Sequence, residues 1–276
     1  MHPITLTALV ALAISTPTTA ADRVLSVGGS VTEIVYALGE GDRLVARDST
    51  SSFPDSAVKL PDVGYMRALV PEGVLSVNPD LIIAEEGSGP QETIDVLLEA
   101  QIDFVTIPNG FSAEAVQIKI EAVAKALGVE ERGKELADKT LSSIKAAALD
   151  ATREDRKRVI FILSTRGGRI LASGTNTAAD GIIALAGATN VISDFEGYKP
   201  LTDEAVLAAA PDVILIMDRG GNHSVADEEL LAMPSIAGTP AAETRSILWM
   251  NGLLLLGFGP STGEAIIALI KALYGA

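Results

Sequence analysis

One stretch of the chain occurs twice. The first copy reads GYMRALVPEGVLSVNPDLII from Gly64, and the second reads GYKPLTDEAVLAAAPDVIL from Gly197. A Gly-Tyr pair leads to a Pro-Asp pair in both, and Glu72 and Glu204 each stand eight positions before the Asp that follows. A second correspondence joins VTEIVYALG, ending at Gly39, to ADGIIALAG, ending at Gly187. A spacing well above about a hundred residues is too long for a solenoid repeat. The duplication therefore predicts two similar lobes.

Within each half, short β-branched runs alternate with helical patterns. Arg23 to Val27, Arg43 to Ala46, Leu81 to Ala84 and Phe104 to Ile107 read as strands in the first half. Val159 to Leu163, Val213 to Met217 and Ser246 to Met250 read as strands in the second. Thr32 to Leu38 reads as a helix closed by Gly39, and Thr177 to Leu185 as one closed by Gly187. This rhythm predicts an α/β fold with parallel sheets covered by helices. Between the halves, Glu, Lys, Ala and Leu dominate, and Val129 to Thr152 has the pattern of one long helix. The expected layout is an N-terminal lobe over 21–128, a connecting helix over 129–155 and a C-terminal lobe over 156–276. In open α/β sheets ligands bind beyond the carboxyl ends of the strands. Two Rossmann-like lobes joined by a stiff helix would face one another across a cleft, with Tyr65 and Tyr198 on opposite walls.

Residues 1–20 have an apolar stretch, Leu6 to Ile14, followed by small residues, and are expected to be a secretory signal peptide cleaved before Ala21. No Lys or Arg precedes the apolar stretch. The chain has no cysteine, which excludes disulfides, thiolate metal sites and a Cys-linked lipid anchor. Its net charge of −15 argues against binding nucleic acid or docking electrostatically on anionic lipid.

Taken together, SVGGSVTEIVYALG, KLPDVGYMRALVPEGVLSVNPDLII, the long helix, LAAAPDVILIM and LLLLGFGP resemble the substrate-binding proteins of bacterial ABC importers that have a helical hinge. These are relatives of the cobalamin- and siderophore-binding proteins, and the sequence looks most like their periplasmic haem-binding group. The resemblance covers nearly the whole chain after residue 20. It implies a periplasmic monomer that binds haem b as a transported ligand, performs no catalysis, and hands haem to an inner-membrane permease and its ATPase. It implies that Tyr65 ligates the haem iron and that Arg67 hydrogen-bonds the ligating oxygen. Ferric iron is a hard acid that accepts a phenolate. A free tyrosine ionises only near pH 10, and a neighbouring guanidinium and the metal both favour the charged form. The resemblance also implies that Glu72 and Glu204 dock onto arginines of the permease.

Weaker candidates line the expected cleft. They are Tyr198 for stacking on the porphyrin, its neighbour Lys199, and Arg166, Arg169 and Arg219 for the propionates. His223, the only histidine after residue 20, sits in a loop and is not expected to ligate. Met66 is expected to point away from Tyr65. The family commonly carries Arg after GFGP, whereas Ser261 follows here. A ferric siderophore or corrinoid in the same fold remains an alternative, although six Phe, one Trp and four Tyr give few aromatic walls. A zinc or manganese site lacks the histidines it would need. A secreted enzyme is a further alternative, but no Ser-His-Asp triad, phosphate loop or nucleophile elbow is legible.

Overall fold

A computed structural model describes residues 21–151, 154–218 and 226–275. The expected signal peptide, Arg219 and His223 lie outside the described residues. The first lobe contains β1 (Val24–Val27), α1 (Gly29–Ala37), β2 (Leu44–Arg47), α2 (Asp55–Val58), α3 (Pro71–Ser76), β3 (Leu81–Glu85), α4 (Gln91–Glu99) and β4 (Asp103–Ile107). Its sheet has the order β2-β1-β3-β4, and every pairing is parallel. Two helices follow, α5 (Ala113–Leu127) and α6 (Glu130–Asp150). Ser112 caps the start of α5 through Ala115 N–H, and Gly128 ends it in the left-handed conformation at φ 72°.

The second lobe contains β5 (Arg158–Ser164), β6 (Leu171–Ser173), α7 (Ala178–Leu185), β7 (Thr189–Asn190), β8 (Tyr198–Pro200), α8 (Asp203–Ala209), β9 (Val213–Asp218), α9 (Asp227–Leu231), α10 (Pro234–Ala237), α11 (Pro240–Glu243), β10 (Ile247–Asn251), α12 (Gly252–Leu256) and α13 (Thr262–Tyr274). Its sheet runs β10-β9-β5-β6-β8, with β7 beside β5. The trio β10-β9-β5 is parallel, as the sequence pattern predicts. The edge differs, because β6 and β8 add antiparallel pairings. A tight turn over Arg166–Gly168, with Gly167 at φ 68°, folds the chain straight back after β5 and makes a hairpin where a crossover was expected.

The strands alternate between two cores, as their period of two requires. Val24 of β1, Leu81 and Ile83 of β3, Val159 and Phe161 of β5, and Val213 and Leu215 of β9 belong to one cluster shared by both lobes. The alternate residues Leu25, Ile82, Ile160 and Ile214 enter separate outer cores, one per lobe. Strands buried on both faces read as continuous apolar runs, which is why they are so legible.

The connecting helix α6 has 21 residues. At about 1.5 Å per residue it is about 30 Å long. It lies close against its neighbours. A Cβ on Gly133 would come within 2.1 Å of the Ala124 Cβ on α5. One on Gly263 of α13 would come within 2.3 Å of Ser143 Oγ on α6. Both lobes thus rest on the same rod.

The duplicated Pro-Asp pair has a structural role. Asp80 accepts the N–H of Arg23 at 3.1 Å, and Asp212 accepts that of Arg158 at 2.9 Å. Each arginine then turns its guanidinium to the carbonyls at the end of the helix just before that Asp, α3 or α8. Arg23 donates to Val77 and Asn78 at 2.7 Å, and Arg158 donates to Ala209 at 2.6 Å. Asp and Arg together fix where the helix ends and the first strand begins, in each lobe.

Candidate ligand-binding site

The segment Gly64–Arg67 lies at the carboxyl edge of the first sheet, and backbone bonds from three directions place it there. Ser49 N–H, just beyond β2, donates to Gly64 O at 2.9 Å. Gly89 N–H, just beyond β3, donates to Met66 O at 2.9 Å, and Leu69 N–H returns to Gly89 O at 2.9 Å. Asp62 accepts Gly64 N–H at 2.8 Å and pairs with Arg47 at 3.0 Å. Gly64 sits at φ 103°, a conformation that L side chains rarely adopt.

Ala68 N–H donates to Tyr65 O at 2.8 Å, so Tyr65 opens a turn with Met66 and Arg67 at its corners. The segment is a turn rather than the extended run that the expectation for Met66 assumed. The opposition of the two side chains holds all the same. Tyr65 is 47% exposed, while Met66 is 8% exposed and belongs to the outer core. Arg67 is exposed beside them. Phe53, 51% exposed, stands on the loop after β2 along the same edge, and the sequence reading passed over it.

The second copy repeats this scaffold. Gly174 N–H donates to Gly197 O at 2.8 Å, as Ser49 does to Gly64. Isolated parallel bridges, Arg47 to Asp62 and Thr175 to Glu196, complete the match. The two tyrosines differ in environment. Tyr198 packs edge-on against Phe161, with ring centroids 6.3 Å apart. Burial pushes its phenol up, while Thr177, the Ala179 backbone, the Arg67 charge and Ser173 pull it down. Arg67 of the first lobe thus lies near enough to Tyr198 of the second for its charge to favour the phenolate there.

Lys199 is exposed, with its ammonium 5.0 Å from the centre of the Phe195 ring. Arg166 and Arg169 are exposed on the β5–β6 turn, beyond the carboxyl end of β5. Glu72 and Glu204 stand exposed in the first turns of α3 and α8. The Glu204 backbone amide and Thr202 hold the Glu204 carboxyl below its ordinary range. Gly28-Gly29-Ser30 is a packing turn, since Gly28 N–H is taken by Asp48 at 3.0 Å and a Cβ on Gly29 would meet Leu253 at 2.5 Å.

LLLLGFGP proves to be the seam between the lobes. Phe258 packs edge-on against Phe111, with centroids 5.5 Å apart. Gly257 O accepts from Lys119 Nζ at 3.4 Å. Ser261, where the family commonly has Arg, donates its backbone N–H to Glu33 Oε1 at 2.8 Å and its hydroxyl to the same oxygen. The sequence reading missed Lys119 and Glu33. For Lys119 a signal exists: it shares a helical stripe with Val116, Ile120 and Val123, all buried.

Residues 24–251 match the model of a family described as periplasmic binding protein. The chain belongs to the periplasmic binding protein family. Members of this family are substrate-binding transport proteins, not enzymes. An uncharacterized ABC transporter substrate-binding lipoprotein of Bacillus subtilis is 30% identical over 71% of this chain, and the match spans 63% of that relative's length. The vitamin B12-binding protein of Yersinia pestis is 29% identical over 72% of this chain and 71% of its own length. Among solved structures, the periplasmic heme-binding protein RhuT from Roseiflexus sp. RS-1 is 38% identical, with a TM-score of 0.88, over 92% of this chain and 98% of that one. This periplasmic binding protein thus has a solved haem-binding relative that is similar over almost its whole length. Among the described residues, no helix is long and apolar enough to cross a membrane.

Proposed function

We propose that the protein carries haem outside the cytoplasm for an ABC importer. Residues 1–20 direct its export to the periplasm, and the lobes over 21–128 and 156–276 hold haem b between them as cargo. The Tyr65 phenolate is the axial ligand to ferric iron, and Arg67 supports its charge. The observation that carries this reading is the braced turn. It exposes one tyrosine, buries the neighbouring methionine, and exposes an arginine two positions on. A phenolate beside a permanent guanidinium suits ferric iron. The likeness to a haem-binding protein at 38% identity supports it. Arg166, Arg169, Lys199 and Arg219 are the proposed cationic partners for the propionates, Tyr198 a wall of the cleft, and Glu72 and Glu204 the contacts to the permease.

The test is an absorption titration of the protein with ferric haem, run beside Tyr65→Ala and Arg67→Ala. The native protein is expected to saturate with a tyrosinate charge-transfer band. Tyr65→Ala is expected to lose that band and bind more weakly, and Arg67→Ala to keep a weakened band. Equal binding with unchanged spectra in both variants would overturn the ligand assignment. A corrinoid is the second reading, favoured by the vitamin B12-binding relative. It is supported if cyanocobalamin saturates the protein and haem does not.

A further inference from the structure

Two buried charges of the first lobe hold the seam segment of the second. The Lys119 side chain is 0% exposed. Its ammonium donates to Ser30 Oγ and Asn109 Oδ1 at 3.0 Å and to Gly257 O at 3.4 Å, with Glu85 Oε1 at 3.7 Å. Lysine has three N–H donors. Here each goes to a different segment: the first turn of α1, the loop after β4, and the seam. Ser30 passes the contact on by donating to Glu85 Oε2 at 2.7 Å.

Glu33, on α1, supplies the second hold. It is 7% exposed and accepts both the backbone N–H and the hydroxyl of Ser261. The seam lies close over it, since a Cβ on Gly259 would come within 2.6 Å of Glu33 Oε2.

These charges are costly to bury. Burial pushes Lys119 down despite Glu85 and Glu33, and it pushes Glu33 up despite the Ser261 bonds. Apolar side chains of similar volume often stabilise a core as well as a buried ion pair does. What the charges add is directionality. If the lobes parted at the seam, Lys119 would lose Gly257 O and Glu33 would lose Ser261, leaving both buried charges short of a partner. An apolar seam can slide, whereas this one has a fixed register.

We propose that Lys119 and Glu33 are positioning residues that fix the separation of the two lobes and so set the width of the cleft. The consequence for cargo rests on the cleft being the ligand site, but the test uses ligand-free protein. The chain has no cysteine, so Glu92→Cys on α4 and Ala205→Cys on α8 give one spin label per lobe. Pulsed electron resonance then reads the distance between them.

The native protein is expected to give one narrow distance. Lys119→Met keeps the length without the charge, and Glu33→Ala removes the acceptor. Each is expected to broaden the distribution toward longer distances. Glu33→Leu fills the volume without an acceptor and is expected to broaden the distribution as Glu33→Ala does, whereas Glu33→Gln keeps an acceptor for Ser261 and is expected to restore the narrow peak, a contrast that loss of packing alone would not predict. Lys145→Met, at an exposed lysine, is the control. An unchanged distribution in folded Lys119→Met or Glu33→Ala overturns the role of that residue. If Lys119→Met does not fold, the Glu33 pair decides the question alone. Failure of haem to bind the native protein would overturn the cargo and leave the distances standing, so the two failures are distinguishable.

Discussion

The Asp62 carboxylate accepts the backbone N–H of Gly64 at 2.8 Å, one residue before Tyr65. Its other oxygen holds Arg47 at 3.0 Å, so one side chain ties the tyrosine turn to the end of β2. Hydrogen bonds to a charged group contribute about 1.5–3 kcal/mol. Partial exposure lowers this to about 1 kcal/mol. Asp62→Ala is expected to weaken haem binding about fivefold while keeping the tyrosinate band, as read by titration. A variant that binds like the native protein would show that the remaining backbone bonds suffice.

Glu72 and Glu204 occupy matching first turns and touch neither the Tyr65 turn nor the seam in any contact described. Reversing both, Glu72→Lys with Glu204→Lys, is expected to leave haem affinity unchanged and to abolish uptake in a reconstituted transporter. Loss of haem affinity in this variant would argue against a docking role.

Glu33 should leave a mark on the pH dependence of stability. Burial is the largest cause raising it above its ordinary value of 4.5, and Glu264 adds to the rise. As pH falls, the folded state then takes up this proton before the unfolded state does. The group's stabilising contribution is full below 4.5 and is lost as pH rises through the folded value. Denaturant melts taken from neutral to mildly acidic pH are expected to show the native protein gaining on Glu33→Gln as pH drops. Parallel curves would contradict the raised value.

Gly133 tests how tightly α6 is seated. Ala in place of Gly inside a helix gains about 1 kcal/mol from backbone propensity. Against this, the new Cβ would lie 2.1 Å from that of Ala124, and overpacking of this kind costs about 1–3 kcal/mol. Steric cost is expected to win, so Gly133→Ala should lower stability, measured by urea denaturation. A gain would mean that α5 and α6 part easily.

The duplication and the central strands were legible because they are local patterns. Strands buried on both faces give unbroken apolar runs, and the repeated Pro-Asp marks where each lobe pins its first strand. The antiparallel edge was not legible. β6 and β8 have three residues each, and the turn that pairs β6 with β5 depends on two left-handed glycines, Gly167 and Gly168. LLLLGFGP stood out in the sequence, but its job depends on side chains far away in the chain. Its partner Lys119 broke an apolar stripe, a departure that helical spacing exposes. Glu33 gave no such sign, because α1 is buried from Gly29 through Val35 and has no solvent side to set a polar residue apart. The tyrosines were matched by sequence, yet contacts with residues distant in the chain, Phe161, Thr177 and Ser173, distinguish a packed Tyr198 from an open Tyr65.

A single rod with both lobes against it, and one apolar core running through all three, leaves little room for a jaw-like swing. Whatever tells a loaded molecule from an empty one must then be written in small displacements at the rim. A membrane partner would read it as a caliper does, by the spacing of two points, rather than by watching a mouth shut.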